Sequence, residues 1–375
     1  MEDFIHLHVH THYSILDGMS KIPELVDKAV DNGMRGMALT DHGNMFGVKE
    51  FFDYANGVNK KLKKEGKEPF KPIFGCEMYV AHHRLEDKVK EHGDMSGYHL
   101  IVLAKNYHGY KNLIKLVSHS WVKGYYMRPR TDREELEKYH EDLIVCSACI
   151  AGEVPSKIIK DDIEGAREAV EWYHRVFGDD YYLEIQRHEV KDPTVRANRE
   201  AYPLQQKANR VILQFAKEYG IKVVCTNDVH FVNQENAEAH DHLLCLSTGK
   251  DLDDPTRMVY SKQEWFKTRE EMNEIFSDVP EALSNTLEIL DKVETYSIES
   301  GPIMPFFPIP KSFGTEEDIR KKYSKEDLYK EFTSDENGEN QKSPEEGQQV
   351  IERLGGYDKI YRIKFEAEYL AKLAY

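Results

Sequence analysis

The sequence is short of positive charge: 51 Lys and Arg stand against 67 Asp and Glu, a formal charge of −16 over 375 residues. A protein that grips nucleic acid unaided shows a basic footprint. Any nucleic acid handled here must therefore meet a local patch or be delivered by something outside the chain. Cysteine is scarce too, with five residues widely scattered, which argues against a disulfide framework and for a reducing cytoplasm. No apolar run approaches a membrane span, and the N-terminus lacks the basic-then-apolar pattern of a signal peptide. No Gly-x-Gly-x-x-Gly follows the first strand-like segment, which weighs against a dinucleotide-binding fold. With 40% apolar and 31% charged residues the composition is that of a soluble globular protein. Its length suits one large domain with an appendage, or two domains.

What the sequence does have is histidine at its start. Phe4 to Val9 reads as a short strand, and side chains two apart in a strand share a face. His8 and His10 then project together, with Asp17 in the following loop. Imidazoles with carboxylates suit zinc, manganese or iron rather than calcium. His6 and His12 prolong the run, so some of these rings must be ordinary.

Strand-like segments then alternate with helix-like ones. Helical spacing marks Lys21–Asn32, Val48–Lys64, the stretch up to Val122, Ile163–Phe177 and a long segment ending at Tyr219. Strands are expected at Met34–Thr40, Pro72–Val80, Leu100–Ala104, Leu143–Cys146, Tyr181–Ile185 and Lys222–Phe231. Seven strands alternating with helices imply an α/β fold of parallel strands in a closed or nearly closed barrel, with a doubly wound open sheet as the alternative. The barrel should occupy residues 1–293. Beyond it, Gly301–Pro310 is proline-rich and reads as linker, and Ser334–Gln349 is polar without apolar periodicity and reads as a mobile insertion. Val350–Tyr375 regains helical spacing and stops within an apolar helix, as a truncated chain would.

Barrel active sites gather where strands give way to loops at their C-terminal ends. Those positions hold His8, His10 and Asp17; Asp41 and His42; Glu77; Cys149; and Asp228 and His230. Asp41 suits an outer partner orienting an imidazole. His99 is awkward, because it precedes its strand. Without metal, the clustered acids should repel one another and shift their pKa values upward. Divalent cations would turn the pocket positive, suited to a phosphate ester, and would acidify a water to about pKa 7. Other features read as structural: Cys146 as core, His240-Asp241-His242 as a surface helix, His82 and His83 as solvated. Tyr125 to Arg130 mixes aromatics with Arg128 and Arg130, a composition that stacks bases and binds phosphates or equally packs a loop on the barrel.

The motifs His6–Gly18, Leu39–Gly47, Thr226–Phe231 and Phe276–Thr286 resemble the polymerase-and-histidinol-phosphatase (PHP) domain at the N-terminus of bacterial replicative DNA polymerase III alpha subunits. The resemblance spans roughly residues 1–310. It implies a distorted seven-stranded (β/α)7 TIM-like barrel and nine metal-binding positions: His8, His10, Asp17, His42, Glu77, His99, Cys149, Asp228 and His230. By that resemblance His8, His10, Glu77 and Asp228 hold one cation. Glu77 bridges to a second with His99 and Cys149, and Asp17, His42 and His230 hold a third. The metals would be zinc or manganese, or iron, with His10, Glu77 and Asp228 central to catalysis. The implied activity is a 3′→5′ proofreading exonuclease in DNA replication, cytoplasmic, acting on a DNA 3′ end beside the remaining polymerase domains and other replisome subunits. The palm aspartates of the polymerase have no counterpart, so no polymerisation is expected. A histidinol-phosphatase-type activity and a metal-stabilised structural role are the alternatives.

Overall fold

The computed structural model describes residues 1–90, 96–190, 192, 196–303, 307–334 and 341–374. The chain divides into two compact units, Met1–Glu299 and Ser300–Tyr375.

In the larger unit, apolar and β-branched runs form β1 (Gly36–Leu39), β2 (Lys71–Val80), β3 (Tyr98–Ala104), β4 (Tyr125–Tyr126), β5 (Arg128–Thr131), β6 (Leu143–Cys146), β7 (Tyr181–Ile185) and β8 (Val223–Cys225). They pair in the order β1-β2-β3-β6-β7-β8, and the β4–β5 hairpin joins β2 through Tyr79↔Arg130 and Val80↔Thr131. The strands expected at residues 34–40, 72–80, 100–104, 143–146 and 181–185 are all present. The first one is not a regular strand. Its residues instead form a seam between the two ends of the sheet. Ala38 N–H donates to His6 O (2.8 Å) and Thr40 N–H to Val9 O (2.9 Å) on one side, and His10 N–H donates to Val229 O (2.7 Å) on the other. The seam makes the sheet a closed, distorted seven-membered α/β barrel. The last expected strand is likewise shorter than its 222–231 reading, because Asp228 adopts φ 49° and breaks the extended run after Cys225.

The expectation of all-parallel strands needs correction. β3 runs antiparallel to both β2 and β6, whereas β1–β2, β6–β7 and β7–β8 are parallel. Among the described residues of 81–97, between β2 and β3, there is no α-helix of the kind that usually carries a parallel crossover, and the chain returns antiparallel instead. The reversal has one consequence for position. The start of β3 lies at the end of the barrel where the parallel strands finish, with His99 paired to Tyr79.

Helices cover the outside. α1 (Ile22–Asp31) begins with Pro23 in its first turn and buries Ile22, Leu25, Val26 and Ala29; each larger side chain contributes roughly 1.5–3 kcal/mol. α2 (Val48–Lys64) buries Phe51, Phe52, Ala55, Val58 and Leu62. α3 (Tyr107–Val122) starts where the Asn106 side chain accepts from Gly109 N–H (3.0 Å), satisfying a donor that the helix itself cannot. Among the described residues no helix is long and apolar enough to cross a membrane.

The smaller unit is helical: Glu316–Lys322, Lys325–Thr333, Pro344–Arg353 and Gly356–Ala374 enclose Ile319, Leu328, Ile351, Ile360 and Tyr361. Three of these helices open on reciprocal caps, Thr315 with Asp318, Ser324 with Asp327 and Ser343 with Glu346. Within Ser334–Gln349, read as polar without helical periodicity, the chain is helical from Pro344 onward, because the capping signature at Ser343 outweighs the polar composition. Residues 335–340 lie outside the described residues.

Candidate metal centre

The nine expected positions all come to the barrel mouth. His8 and His10 leave the seam, Asp17 and His42 leave the loops beyond it and β1, and Glu77 sits in β2. His99 sits in β3, Cys149 follows β6, and Asp228 and His230 follow β8. His99 belongs because β3 is reversed. His8 Nε2 lies 3.0 Å from Asp228 Oδ1 and 3.3 Å from Glu77 Oε1. His10 Nε2 is 3.1 Å from His8 Nε2 and 3.2 Å from Glu77 Oε2. His42 spans Glu77 (2.7 Å) and Asp17 (3.0 Å). His99 Nδ1 approaches Glu77 Oε1 at 2.9 Å, with Cys149 Sγ 3.6 Å from that nitrogen. Within this cluster, three trios place their ligand atoms within 4.8 Å of one another: His8, His10 and Asp228; His42, Glu77 and His99; His10, His42 and His230.

Outer groups decide which imidazole nitrogens face inward. The Ser14 hydroxyl donates to Asp41 Oδ1 (2.8 Å) and accepts from His42 N–H (3.1 Å). It can then only accept from His10 Nδ1–H (2.9 Å), which leaves His10 Nε2 with a lone pair toward the centre. Glu184, fully buried on β7, accepts from His8 Nδ1–H at 2.8 Å with the same result. His230 Nδ1–H donates to Asp228 O at 2.8 Å. Asp41, expected to meet an imidazole directly, acts on His10 only through the Ser14 hydroxyl. Glu184 was not anticipated, although its place two residues before Gln186 at the end of a buried strand was available as a signal.

Electrostatics show what the cluster needs. Burial disfavours a charge on His8, but the Asp228, Glu77 and Glu184 carboxylates outweigh it and hold its pKa well above the ordinary value. Burial is likewise outweighed at His42, chiefly by Glu77, and at His230, chiefly by Asp17. Burial and the neighbouring His42 and His230 lower His10. The acids do not rise as the sequence suggested. Burial would raise them, but the imidazoles pull Glu77, Asp228 and Asp17 down. Burial, Glu77 and Asp228 push the Cys149 thiol well up. Protons on three imidazoles thus offset much of the carboxylate charge in the metal-free pocket, and cations would replace them. Buried His42 Nδ1, Glu77 Oε2 and Asp228 Oδ1 are without a hydrogen bond of good geometry, at the spot where ligand lone pairs converge. The donor set fits borderline divalent metals.

Around the mouth, three sequence readings change. His240 is buried rather than on a surface helix face; its Nε2 meets Asp17 O at 2.9 Å, and burial lowers its pKa to about 4. Asp241 is buried in an ion pair with Arg257 (2.9 Å), and His242 alone of the three is exposed. Arg130 is not a phosphate ligand: it is fully buried, donating to the carbonyls of Gly124, Leu85 and Asp87. Arg128 is exposed, 5.8 Å from the Tyr79 ring that flanks His42. Tyr260, unnoticed in the sequence, places its hydroxyl 3.3 Å from Asp17 and 3.2 Å from His230 Nε2.

The profile of the PHP domain family matches residues 6–188. The DNA polymerase III subunit alpha of Borreliella burgdorferi is 42% identical over 337 residues, 88% of this chain and 27% of that protein. That of Campylobacter jejuni is 37% identical over 330 residues, 85% of this chain and 25% of that protein. The chain thus spans about a quarter of the length of these relatives. A histidinol phosphate phosphatase from Lactococcus lactis, solved with zinc, L-histidinol and phosphate, superposes with TM-score 0.31 at 14% identity, covering 67% of this chain and 95% of that one.

Proposed function

Residues 6–188 carry a PHP domain, and from that premise we propose that the barrel is a metal-dependent 3′→5′ exonuclease serving DNA replication inside a polymerase III alpha subunit. The carrying observation is the three interlocking trios of ligand atoms at the mouth. His8, His10, Glu77 and Asp228 would hold one cation, Glu77 with His99 and Cys149 a second, and Asp17, His42 and His230 a third. Zinc or manganese bound there supplies Lewis acidity toward a phosphoryl oxygen and a nucleophile at neutral pH.

The chain's own groups do the rest. Ser14, Asp41 and Glu184 hold His10 and His8 in the tautomer whose Nε2 ligates. Tyr260 keeps its proton, because burial and the Asp17 and Asp228 carboxylates push its pKa well above the usual value. Its hydroxyl donates to Asp17 Oδ1 and so holds that carboxylate at the mouth. Asp17, His42, His99 and Asp228 are partly open to solvent while Glu77 is not, so a substrate would meet the centre across these four residues. The relatives' polymerase domains, other replisome subunits and a cytoplasmic setting complete this reading.

The test is 3′ trimming by the purified chain, and by its full-length parent, reconstituted with manganese or zinc. Nucleotides should leave one at a time, faster from an unpaired end, which needs no unpairing to reach a recessed pocket. Asp228→Asn and His10→Ala should remove the activity, with folding checked by circular dichroism. His242→Ala should leave it intact. Equal trimming by the Asp228→Asn parent would leave the metals a structural role only.

A further inference from the structure

The described residues of the larger unit expose four aromatic side chains strongly: Phe46, Tyr107, Trp121 and Tyr125. Three of them form one cluster. The Trp121 ring lies 5.5 Å from Tyr125, stacked at 20°, and 6.4 Å from Phe46. Their exposures are 43% for Trp121, 48% for Tyr125 and 59% for Phe46. The cluster adjoins the metal centre: Trp121 Nε1–H donates to Gly43 O at 2.8 Å, one residue from His42. Gly43 itself sits at φ +60°, and a Cβ there would lie 2.6 Å from Pro129, so the β4–β5 hairpin is pressed against the His42 loop. Burying such rings would be worth several kcal/mol in a core, yet here they face water as a row.

Charge is distributed in the same sense. In a chain of net charge −16, residues 96–131 contain no Asp or Glu and six Lys or Arg. That segment runs through β3, α3 and the β4–β5 hairpin, and ends beside the cluster. Arg130 is buried, but Lys123 and Arg128 are exposed, and no ion pair is seen for either among the described residues. Flat π-faces interleaved with cations are what a single nucleic-acid strand requires, whereas a small phosphate ester offers little to stack.

Building on the exonuclease reading above, we propose that Phe46, Trp121 and Tyr125 form a stacking platform for the unpaired bases next to a DNA 3′ terminus, with Lys123 and Arg128 supplying cations to its phosphates. The platform gives the site its preference for strands over small esters, and its contacts are indifferent to base identity because every base has a π-face.

The test measures binding without turnover, in the Asp228→Asn chain. It compares a short oligothymidylate with an abasic strand of equal length and charge, by fluorescence anisotropy. The base-bearing strand should bind about tenfold more tightly, the range expected for one or two stacked bases. Trp121→Ala in that background should abolish the difference, and Phe46→Ala should reduce it. Trp121→Phe, which keeps a ring but loses the bond to Gly43, should retain most of it. Equal affinity for the two strands, or a preference that survives Trp121→Ala, would overturn the platform and leave the aromatics to a protein contact. A preference without any 3′ trimming by the wild-type chain would retire the exonuclease reading alone, and trimming without a preference would retire the platform alone.

Discussion

His8 takes its ligating tautomer from Glu184, a residue of a different strand, whose buried carboxylate accepts the Nδ1 proton. Such outer partners are worth about 10- to 100-fold in metal affinity. Glu184→Gln keeps an acceptor but removes the charge that makes the imidazole basic, so it should weaken metal binding about tenfold with little change in circular dichroism. Calorimetric titration of the metal would show it. Protons set a second dependence. Carboxylates hold His8, His42 and His230 above the ordinary histidine pKa, despite burial, and a metal must displace those protons. Affinity should therefore rise with pH and continue to rise above about 6.5, the unperturbed value, by about tenfold per pH unit for each proton displaced. Chelator competition at several pH values measures this, and a flat profile would contradict the histidine ligands. At this scale eight of the nine expected positions were legible as metal-type residues where a strand gives way to its loop, and His99 came only through the family resemblance. Glu184 and Tyr260 were not: the one signal for Glu184 is a carboxylate inside an otherwise apolar strand, and a loop tyrosine announces nothing until the fold brings it to His230.

Strand positions were legible from runs such as Leu143–Cys146 and Tyr181–Ile185, whereas strand direction was not. Apolar runs look alike in parallel and antiparallel pairs when both faces are buried, so β3 was assigned the common direction and His99 appeared misplaced. The β4–β5 hairpin escaped notice for another reason. Its two-residue arm offers no periodicity, and its turn rests on Met127 at φ 62° rather than on glycine. What fixes the hairpin is close approach. A Cβ on Gly124 would fall 1.9 Å from Arg130 O, and the Gly124 carbonyl accepts from the Arg130 guanidinium. Gly124→Ala should destabilise the larger unit by about 2–3 kcal/mol, the cost of overpacking with a lost buried bond. Urea denaturation monitored at the barrel would reveal it.

Two units with separate cores should respond separately to metal. Ligands that bind only the native state stabilise it by about 2.7 kcal/mol at a hundredfold excess over Kd. Removing metal from the reconstituted protein should therefore lower the melting transition of Met1–Glu299 by several degrees. The transition of the helical tail, which has none of the nine positions, should stay where it is. Scanning calorimetry with and without chelator separates the two, and equal shifts would count against a metal centre confined to the barrel. The seam that closes the barrel joins Val9 to Val229, and the same closure brings His8 and His10 against Asp228. A ribosome adding about 5–20 residues per second needs on the order of ten to forty seconds to make the chain between those partners. Throughout that interval His8 and His10 lack Asp228, although Glu77 and Glu184 are made earlier. Completion of the proposed centre would thus wait for β8 and the Asp228 loop that follows it to leave the exit tunnel.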